Sequence, residues 1–234
     1  MGYLALQGGR EFNAGMQSCD LRAIDLAGGF DAPVSIIPAA AAPDDNHRRA
    51  GENGCDWFRR LGARNVAALP LIDRASAEDS RVAGALRHSK LIYLLGGFPG
   101  YLAGVLKSSR SWRAILEAMD KGAVVAGSSA GAMVLCEFLY NPIEQTVDKG
   151  LGLLPRTCVI PHLNTFGREW VDRLQKELPL ATLIGIDEET GAINDGPHGA
   201  WSVYGPGAVT LFGNHRKQEY RTGTPFELQV RPVV

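Results

Sequence analysis

The chain has 234 residues, a formal net charge of −1, 45% hydrophobic residues and 21% charged residues. This composition is typical of a globular protein, and the near-neutral charge does not favour nucleic acid or an anionic membrane as a partner. No apolar run approaches the length of a membrane span. The N-terminus lacks the pattern of a signal peptide, and the four cysteines lack paired spacing. We therefore expect a cytoplasmic protein with reduced cysteines.

The first 130 residues alternate between short apolar runs and amphipathic stretches. This alternation is typical of βαβ units and predicts an α/β fold, with a doubly wound, mostly parallel sheet flanked by helices. Ser76 is predicted to be the N-cap of the helix at 76–88. The predicted strands are 3–6, 34–37, 65–71, 91–95 and 123–126, and the predicted helices are 15–27, 44–61, 76–88, 101–106, 112–121 and 130–138.

The C-terminal part of the chain has a different pattern. Residues 151–160 predict one or two strands and 167–178 a helix, after which short apolar runs are separated by Gly and Pro. These runs predict short antiparallel strands near the C-terminus, closing the far edge of the sheet. They lie at 183–186, 191–194, 200–204, 208–212, 218–220 and 226–230. No repeat or linker interrupts the chain, so residues 1–234 are expected to form one domain.

A Gly-Ser-Ser-Ala-Gly segment at 127–131 fits the G-x-S-x-G pattern with Ser129 at its centre. It lies between a buried strand and a helix, which is the context of a nucleophile elbow. The glycines allow the strand and the helix to approach closely while the serine hydroxyl stays exposed. A small-residue packing loop, or a phosphate site at the helix N-terminus, fits the five residues alone equally well.

A serine nucleophile needs a base and an acid that orients it. Of the five histidines, His162 alone follows directly from a predicted strand end, where it would face the same crevice as Ser129. The acid is left open by the residues themselves. Three carboxylates follow the strand at 183–186, and two lie in the loop after the elbow helix; these are Asp187, Glu188, Glu189, Glu144 and Asp148.

Three segments, 127–132, 161–168 and 185–192, resemble the dipeptidase E / cyanophycinase family of serine peptidases. The resemblance implies a fold like that of class I glutamine amidotransferases. It also implies Ser129 as nucleophile, His162 as base and Glu188 as acid, with Glu144 as the alternative acid. The family's arginine after the histidine falls on Arg168, which is assigned to substrate binding.

The resemblance further implies hydrolysis of small peptides through an acyl-enzyme. We expect the backbone N–H groups of Gly97 and Ala130 to form the oxyanion hole, and Gly96 and Phe98 to contact the substrate. Family members carry Asn or Asp-Gln where this chain has Phe98 and Pro99. We therefore expect the part of the substrate site beside Phe98 and Pro99 to accept an uncharged or apolar substrate residue in place of an aspartyl residue.

No metal, nucleotide or redox cofactor is expected, because the chain shows no cluster of ligands for one. Arg10 and His198 are further candidates for binding a substrate carboxylate. An amidotransferase-like amidohydrolase and a catalytically silent binding module are the alternative functions. The expected partner is a small peptide, with neither nucleic acid nor a membrane involved, and a homodimer remains open.

Overall fold

Thirteen strands form two sheets in the computed structural model, which describes residues 2–213 and 216–231. Seven strands form the first sheet and six form the second. The strands are β1 (Tyr3–Gln7), β2 (Val34–Ile37), β3 (Val66–Ala68), β4 (Leu91–Leu94), β5 (Val124–Ser128), β6 (Cys136–Asn141), β7 (Thr146–Lys149), β8 (Leu154–Ile160), β9 (Thr182–Ile186), β10 (Gly191–Ile193), β11 (Ser202–Tyr204), β12 (Val209–Gly213) and β13 (Arg216–Tyr220).

Helices connect these strands, most of them in the first half of the chain. Short 3₁₀ turns at Ala14–Met16, Ala39–Ala41, Phe166–Trp170 and Pro197–Gly199 complete the described secondary structure. The α-helices are α1 (Gln17–Leu26), α2 (His47–Arg60), α3 (Arg74–Ala77), α4 (Ser80–His88), α5 (Pro99–Leu106), α6 (Arg110–Asp120), α7 (Ala130–Leu135) and α8 (Val171–Glu177). No helix in the described part of the chain is both long and apolar enough to cross a membrane.

The first sheet brings three glycine-containing loops to one edge. Its order is β11-β10-β1-β5-β4-β2-β3, and the five strands from β1 to β3 in this order are parallel. Gln7 pairs with Ser128, and Leu94 pairs with Gly127, so β1, β4 and β5 end side by side. The loops that follow them therefore meet where ligands bind in open parallel sheets.

In the second sheet, the loops that follow β8 and β9 lie at the same end. Its order is β13-β12-β9-β8-β6-β7, and β6, β8 and β9 are parallel. Ile160 at the end of β8 pairs with Gly185 in β9. The loops that carry His162 and Glu188 consequently leave the same end of this sheet.

Both faces of the first sheet are buried. Leu4 and Leu6 of β1 belong to one hydrophobic cluster, whereas Ala5 between them belongs to another. The first cluster also contains Ile160 and Ile184 of the second sheet, so one continuous core lies under both sheets. Burial of alternate residues on opposite faces explains why the parallel strands are continuously apolar.

The α/β fold class, with mostly parallel strands and flanking helices, is confirmed. The prediction that the antiparallel strands close the far edge of one sheet is wrong. β10 and β11 extend the first sheet, while β12 and β13 belong to the second. The predicted helix 130–138 is wrong beyond Leu135, where the chain enters a hairpin of β6 and β7. A short apolar run fits a buried helix or a strand equally well, and here the aromatic residues Phe138 and Tyr140 favour the strand.

Two local predictions are also corrected. Residues 226–230 do not form a strand, because only Phe226 makes a bridge, to Trp201. Ser76 is not an N-cap. Asp73 caps α3 in a reciprocal capping box with Ser76, and Asp79 caps α4, because a carboxylate accepts the free N–H groups of each first turn. The single domain over 1–234 stays a prediction.

Candidate active site

Ser129 lies at a strained turn between β5 and α7. Its φ and ψ angles are 49° and −112°, which a residue with a side chain rarely adopts. The strained turn is held at both ends. The Ser129 N–H donates to the Gln7 carbonyl at 3.0 Å, and the Ser129 carbonyl accepts from the N–H groups of Ala132 and Met133. A Cβ atom on Gly127 would overlap the backbone of Gly131, so the elbow requires a glycine there.

His162 is hydrogen-bonded to Ser129. Its Nε2 atom lies 3.1 Å from Ser129 Oγ. The His162 N–H donates to the Gly8 carbonyl at 2.8 Å, and the imidazole stacks on the ring of Phe166 with 4.6 Å between centroids. Backbone and ring are therefore both fixed, which is the geometry that a general base requires.

Glu188 completes a chain of three side chains. Its Oε1 atom lies 2.9 Å from His162 Nδ1 and also accepts from Thr165 Oγ1 at 3.3 Å. The His162 and Glu188 side chains are only 16% and 15% exposed. Because a carboxylate only accepts, this contact assigns the imidazole proton to Nδ1 and leaves the Nε2 lone pair for the Ser129 hydroxyl.

The structure brings none of the rival acids to His162. Asp187 accepts from the Ala208 N–H at 2.9 Å, and Glu189 lies 3.7 Å from Arg10. Glu144 is exposed in the turn between β6 and β7, and it lines a separate cavity together with Asp148. The sequence pattern left open whether Glu188 or Glu144 is the acid that orients His162. The contacts of the two residues favour Glu188.

The loop after β1 contacts all three segments that carry Ser129, His162 and Glu188. Besides Gln7 and Gly8, which bind the N–H groups of Ser129 and His162, Gly9 accepts from the Glu189 N–H at 3.0 Å. A Cβ atom on Gly9 would overlap the imidazole of His162. Since strands of the first sheet carry Ser129 and strands of the second carry His162 and Glu188, this loop holds the two parts of the site together.

A buried polar network lies beneath this loop. Gln7 accepts from the Tyr93 hydroxyl and donates to Asp20 at 2.7 Å, and Asp20 accepts from Trp57 Nε1 at 2.8 Å. Burial raises the pKa of Asp20 to about 7, although both hydrogen bonds act to lower it. The sequence analysis missed this network. Its only signal was a polar residue, Gln7, that ends an apolar strand.

Gly96, Gly97 and Ala130 lie near Ser129. The Ala130 N–H belongs to the first turn of α7, whose N–H groups have no partner within the helix. A Cβ atom on Gly96 would lie 3.4 Å from Ser129 Cβ, so the loop after β4 runs beside the serine. The Phe98 N–H donates to the Ala40 carbonyl at 2.8 Å and is occupied. This arrangement is compatible with the predicted oxyanion hole, which stays a prediction.

The remaining predicted substrate residues lie in different places. Phe98 lines a cavity of about 440 Å³ with Pro99, Ile143, Glu144 and Asp148. The Arg168 guanidinium donates to the carbonyls of Asn164 and Thr165, so its contacts are with its own loop. Arg10 lies 3.7 Å from Glu188, whereas His198 lines a separate cavity with Glu227.

All four cysteines are free and buried. Burial raises the pKa of Cys136 to about 12, so its thiol is protonated at neutral pH and lacks nucleophilic character. Within residues 2–213 and 216–231, no three His, Cys, Asp or Glu side chains cluster as a metal site would require. The hydrogen bonds among Ser129, His162 and Glu188 permit proton transfer from the serine hydroxyl to the imidazole, with the Glu188 carboxylate positioned to stabilise the charged ring.

Comparison with known proteins gives consistent results. The model of peptidase family S51 matches residues 4–196. Cyanophycinase from Synechococcus elongatus is 32% identical over 198 residues, which is 79% of this chain and 60% of that protein. Cyanophycinase from Trichormus variabilis is 31% identical over the same length, or 64% of its own chain. The chain thus spans somewhat less than two thirds of the length of these two cyanophycinases.

Solved structures are similar over almost the whole chain. The crystal structure of a peptidase from an acI-B1 Actinobacterium has a TM-score of 0.85 and 28% identity, and the match covers 97% of this chain and 96% of that one. A protein from Listeria monocytogenes described as peptidase E has a TM-score of 0.61 and 18% identity, covering 95% of this chain and all of the other. At that identity the second match supports the fold alone.

Proposed function

The chain belongs to peptidase family S51, and from this premise we propose that it is a serine peptidase that hydrolyses small peptides through Ser129, His162 and Glu188. The observation that carries the proposal is the unbroken hydrogen-bonded chain from Ser129 Oγ through the imidazole to Glu188 Oε1. A serine at a strained, glycine-flanked elbow, a fixed base and a buried orienting acid are the three parts that acyl transfer needs.

The acylation step follows from these contacts. His162 Nε2 takes the hydroxyl proton as Ser129 Oγ attacks the carbonyl carbon of the scissile amide. Glu188 stabilises the imidazolium that forms and holds Nδ1–H in place. The N–H groups of Ala130 and Gly97 bind the developing oxyanion, and one such donor contributes about 3 kcal/mol in the transition state.

Breakdown of the tetrahedral intermediate reverses the proton flow. The imidazolium at Nε2 protonates the leaving amine as the C–N bond breaks, which leaves an ester on Ser129. A water molecule then loses a proton to Nε2 and attacks the ester carbonyl. The C–O bond to Ser129 breaks, Oγ recovers its proton from His162, and a carboxylic acid is released.

An amidotransferase-like reaction is less well supported. That chemistry ordinarily uses a cysteine at the elbow, whereas the elbow residue here is Ser129. The nearest cysteine downstream, Cys136, begins β6, is fully buried and has a raised pKa of about 12. A protonated, inaccessible thiol cannot replace the serine as nucleophile.

The cavity beside Phe98 favours neutral residues over acidic ones. Its wall combines the Phe98 ring, Pro99 and Ile143 with the carboxylates of Glu144 and Asp148. An aspartyl side chain there would meet apolar surface and like charge, and both disfavour its ionised form. Phe98 directly follows the Gly96–Gly97 loop, which runs beside Ser129, so we place a substrate side chain in this cavity and infer a preference for an uncharged or apolar residue there.

Hydrolysis of a dipeptide panel by purified protein tests the function. Wild type should cleave neutral dipeptides such as Ala-Leu and Leu-Leu, and Ser129→Ala should retain less than about a thousandth of that rate. Ser80→Ala, at the exposed start of α4, is the control and should be unaffected. Ammonia release from glutamine would instead support an amidohydrolase. Failure of wild type to cleave any peptide or to react with a fluorophosphonate probe would favour a silent module.

A further inference from the structure

Glu11 lies against the nucleophile, although nothing in the proposed mechanism uses it. Its Oε2 atom accepts from Ser128 Oγ at 2.9 Å, and its Oε1 atom lies 3.3 Å from the Gly96 nitrogen. A single carbon atom placed on Gly96 would be 3.0 Å from Glu11 Oε1 and 3.4 Å from Ser129 Cβ. The carboxylate and the nucleophile therefore border the same small volume.

Glu11 forms no ion pair with another residue of the described part of the chain. No Arg, Lys or His nitrogen in the described ranges lies within ion-pair distance of its carboxylate. Its two hydrogen bonds come from a hydroxyl and a backbone N–H, which are neutral donors. A carboxylate can accept about four hydrogen bonds, so capacity for a further donor remains. A half-buried anion without a counter-charge is unfavourable, and a cationic ligand would remove that cost.

An aromatic ring accompanies this carboxylate. Phe12 lines a cavity of about 520 Å³ together with Glu11, Asn53, Gly96 and Gly97, and this group of residues is here named the amine subsite. Asp44 and Arg49, which carry opposite formal charges, also line the cavity. The Phe12 ring packs 5.9 Å from Tyr93 and 6.3 Å from Trp57, between ring centroids. A carboxylate near the face of a fixed aromatic ring is a suitable environment for an ammonium group, through charge-assisted hydrogen bonding and cation–π attraction.

The backbone on both sides of Glu11 is held in a strained conformation. Arg10 and Phe12, on either side of Glu11, have φ angles of 53° and 69°. For a bulky residue such as phenylalanine this conformation is rare and strained, so the surroundings must enforce it. The Asn13 side chain donates to the Arg10 carbonyl at 3.0 Å and stabilises the turn. Strain of this kind is concentrated at functional sites.

We propose that Glu11 binds the N-terminal ammonium group of the peptide substrate. The inference deepens the proposed function and depends on it. In a peptide the α-amine is about 2.5 Å from the carbonyl carbon of its own residue, across two bonds. An amine held by Glu11 therefore places the first peptide bond of the substrate at Ser129. A lysine ammonium, at the end of a four-carbon stem, would place a more distant bond there. The protein consequently acts from the amino end and releases the first residue.

A binding experiment tests the inference independently of catalysis. In the Ser129→Ala background, Ala-Leu is titrated by calorimetry against N-acetyl-Ala-Leu and N-acetyl-Lys-Leu, with and without Glu11→Gln. The amide side chain keeps the size of Glu11 and can still accept from Gly96, but it has no charge. Glu52→Gln, exposed on α2, is the matched control.

We expect Ala-Leu to bind at least about tenfold more tightly than N-acetyl-Ala-Leu, and Glu11→Gln to abolish that difference while Glu52→Gln keeps it. In catalysis, Glu11→Gln should raise KM for Ala-Leu with little change in kcat, and fluorophosphonate labelling of Ser129 should be unaffected. Equal binding of the free and acetylated peptides, or no binding of either, would overturn the inference. Preferential binding of N-acetyl-Lys-Leu would identify a side-chain ammonium subsite and would also overturn it.

These results are separable from failure of the proposed function. If wild type neither cleaves peptides nor labels at Ser129, the peptidase proposal fails, whatever the calorimetry gives. Suppose instead that wild type is labelled normally, and that Glu11→Gln slows labelling by the same factor as it slows peptide turnover. Glu11 then positions the glycine loop and is not a binding residue.

Discussion

Ionisation of Asp20 should make the stability of the protein depend on pH. The carboxyl is fully buried beneath the loop that holds Ser129 and His162, and burial raises its pKa from 3.8 to about 7. A carboxyl whose pKa is higher in the folded than in the unfolded chain stabilises the fold at low pH, and that contribution is lost as the pH rises through about 7. Three pKa units correspond to about 4 kcal/mol in the free energy of unfolding.

Urea denaturation between pH 4 and pH 8 measures this contribution. The asparagine in Asp20→Asn has almost the same size as aspartate but does not titrate. Between pH 4 and pH 8, the free energy of unfolding should therefore fall by about 4 kcal/mol more in wild type than in Asp20→Asn. Asp56→Asn, exposed on α2, is the control and should follow wild type. Parallel curves for wild type and Asp20→Asn would refute the assignment of a raised pKa to this buried carboxyl.

Further variants test the geometry of the site. Glu188→Gln should lower kcat strongly with KM almost unchanged while Glu144→Gln has little effect, and the reverse result would move the acid to the turn between β6 and β7. Gly9→Ala should reduce kcat about 100-fold or more because a Cβ atom would displace the imidazole of His162; wild-type activity would show that the overlap is relieved elsewhere. Phe98→Asn should raise kcat/KM for Asp-Leu relative to Leu-Leu, and a wild type that already prefers Asp-Leu would contradict the role given to this ring.

Local patterns were sufficient to predict the reactive ends of the strands. An apolar run followed by Gly-Ser-Ser-Ala-Gly has few structural solutions, because only glycines allow β5 and α7 to approach as closely as they do around Ser129. His162 and Glu188 each follow a buried run, and parallel strands place such residues at one edge. The sequence pattern therefore predicted which residues meet, and the resemblance singled out Glu188.

The division into two sheets could not be predicted in this way. Whether residues 136–141 continue α7 or begin β6 depends on pairing with β7 and β8, which are contacts between distant parts of the chain. Six largely apolar residues fit either structure until those partners are present. The same hairpin moves Glu144 to the cavity of Phe98 and away from His162.

Residues that act through tertiary contacts were also missed. No sequence pattern singles out Glu11, because its contacts with Ser128 and Gly96 join residues that are more than 80 positions apart. Asp20 was read as part of a helix, and only the fold shows that it is fully buried against Gln7 and Trp57. Burial and unpaired charge are properties of the folded molecule, and no spacing rule predicts them.

Site mapping of a fluorophosphonate adduct is the most direct test of the central claim that Ser129 is a nucleophile activated by His162. The label should be found by fragment mass spectrometry on Ser129 and not on its buried neighbour Ser128, and His162→Ala should react at least about 1000-fold more slowly than wild type. Adduct formation on another residue, or a rate that does not depend on His162, would contradict the account.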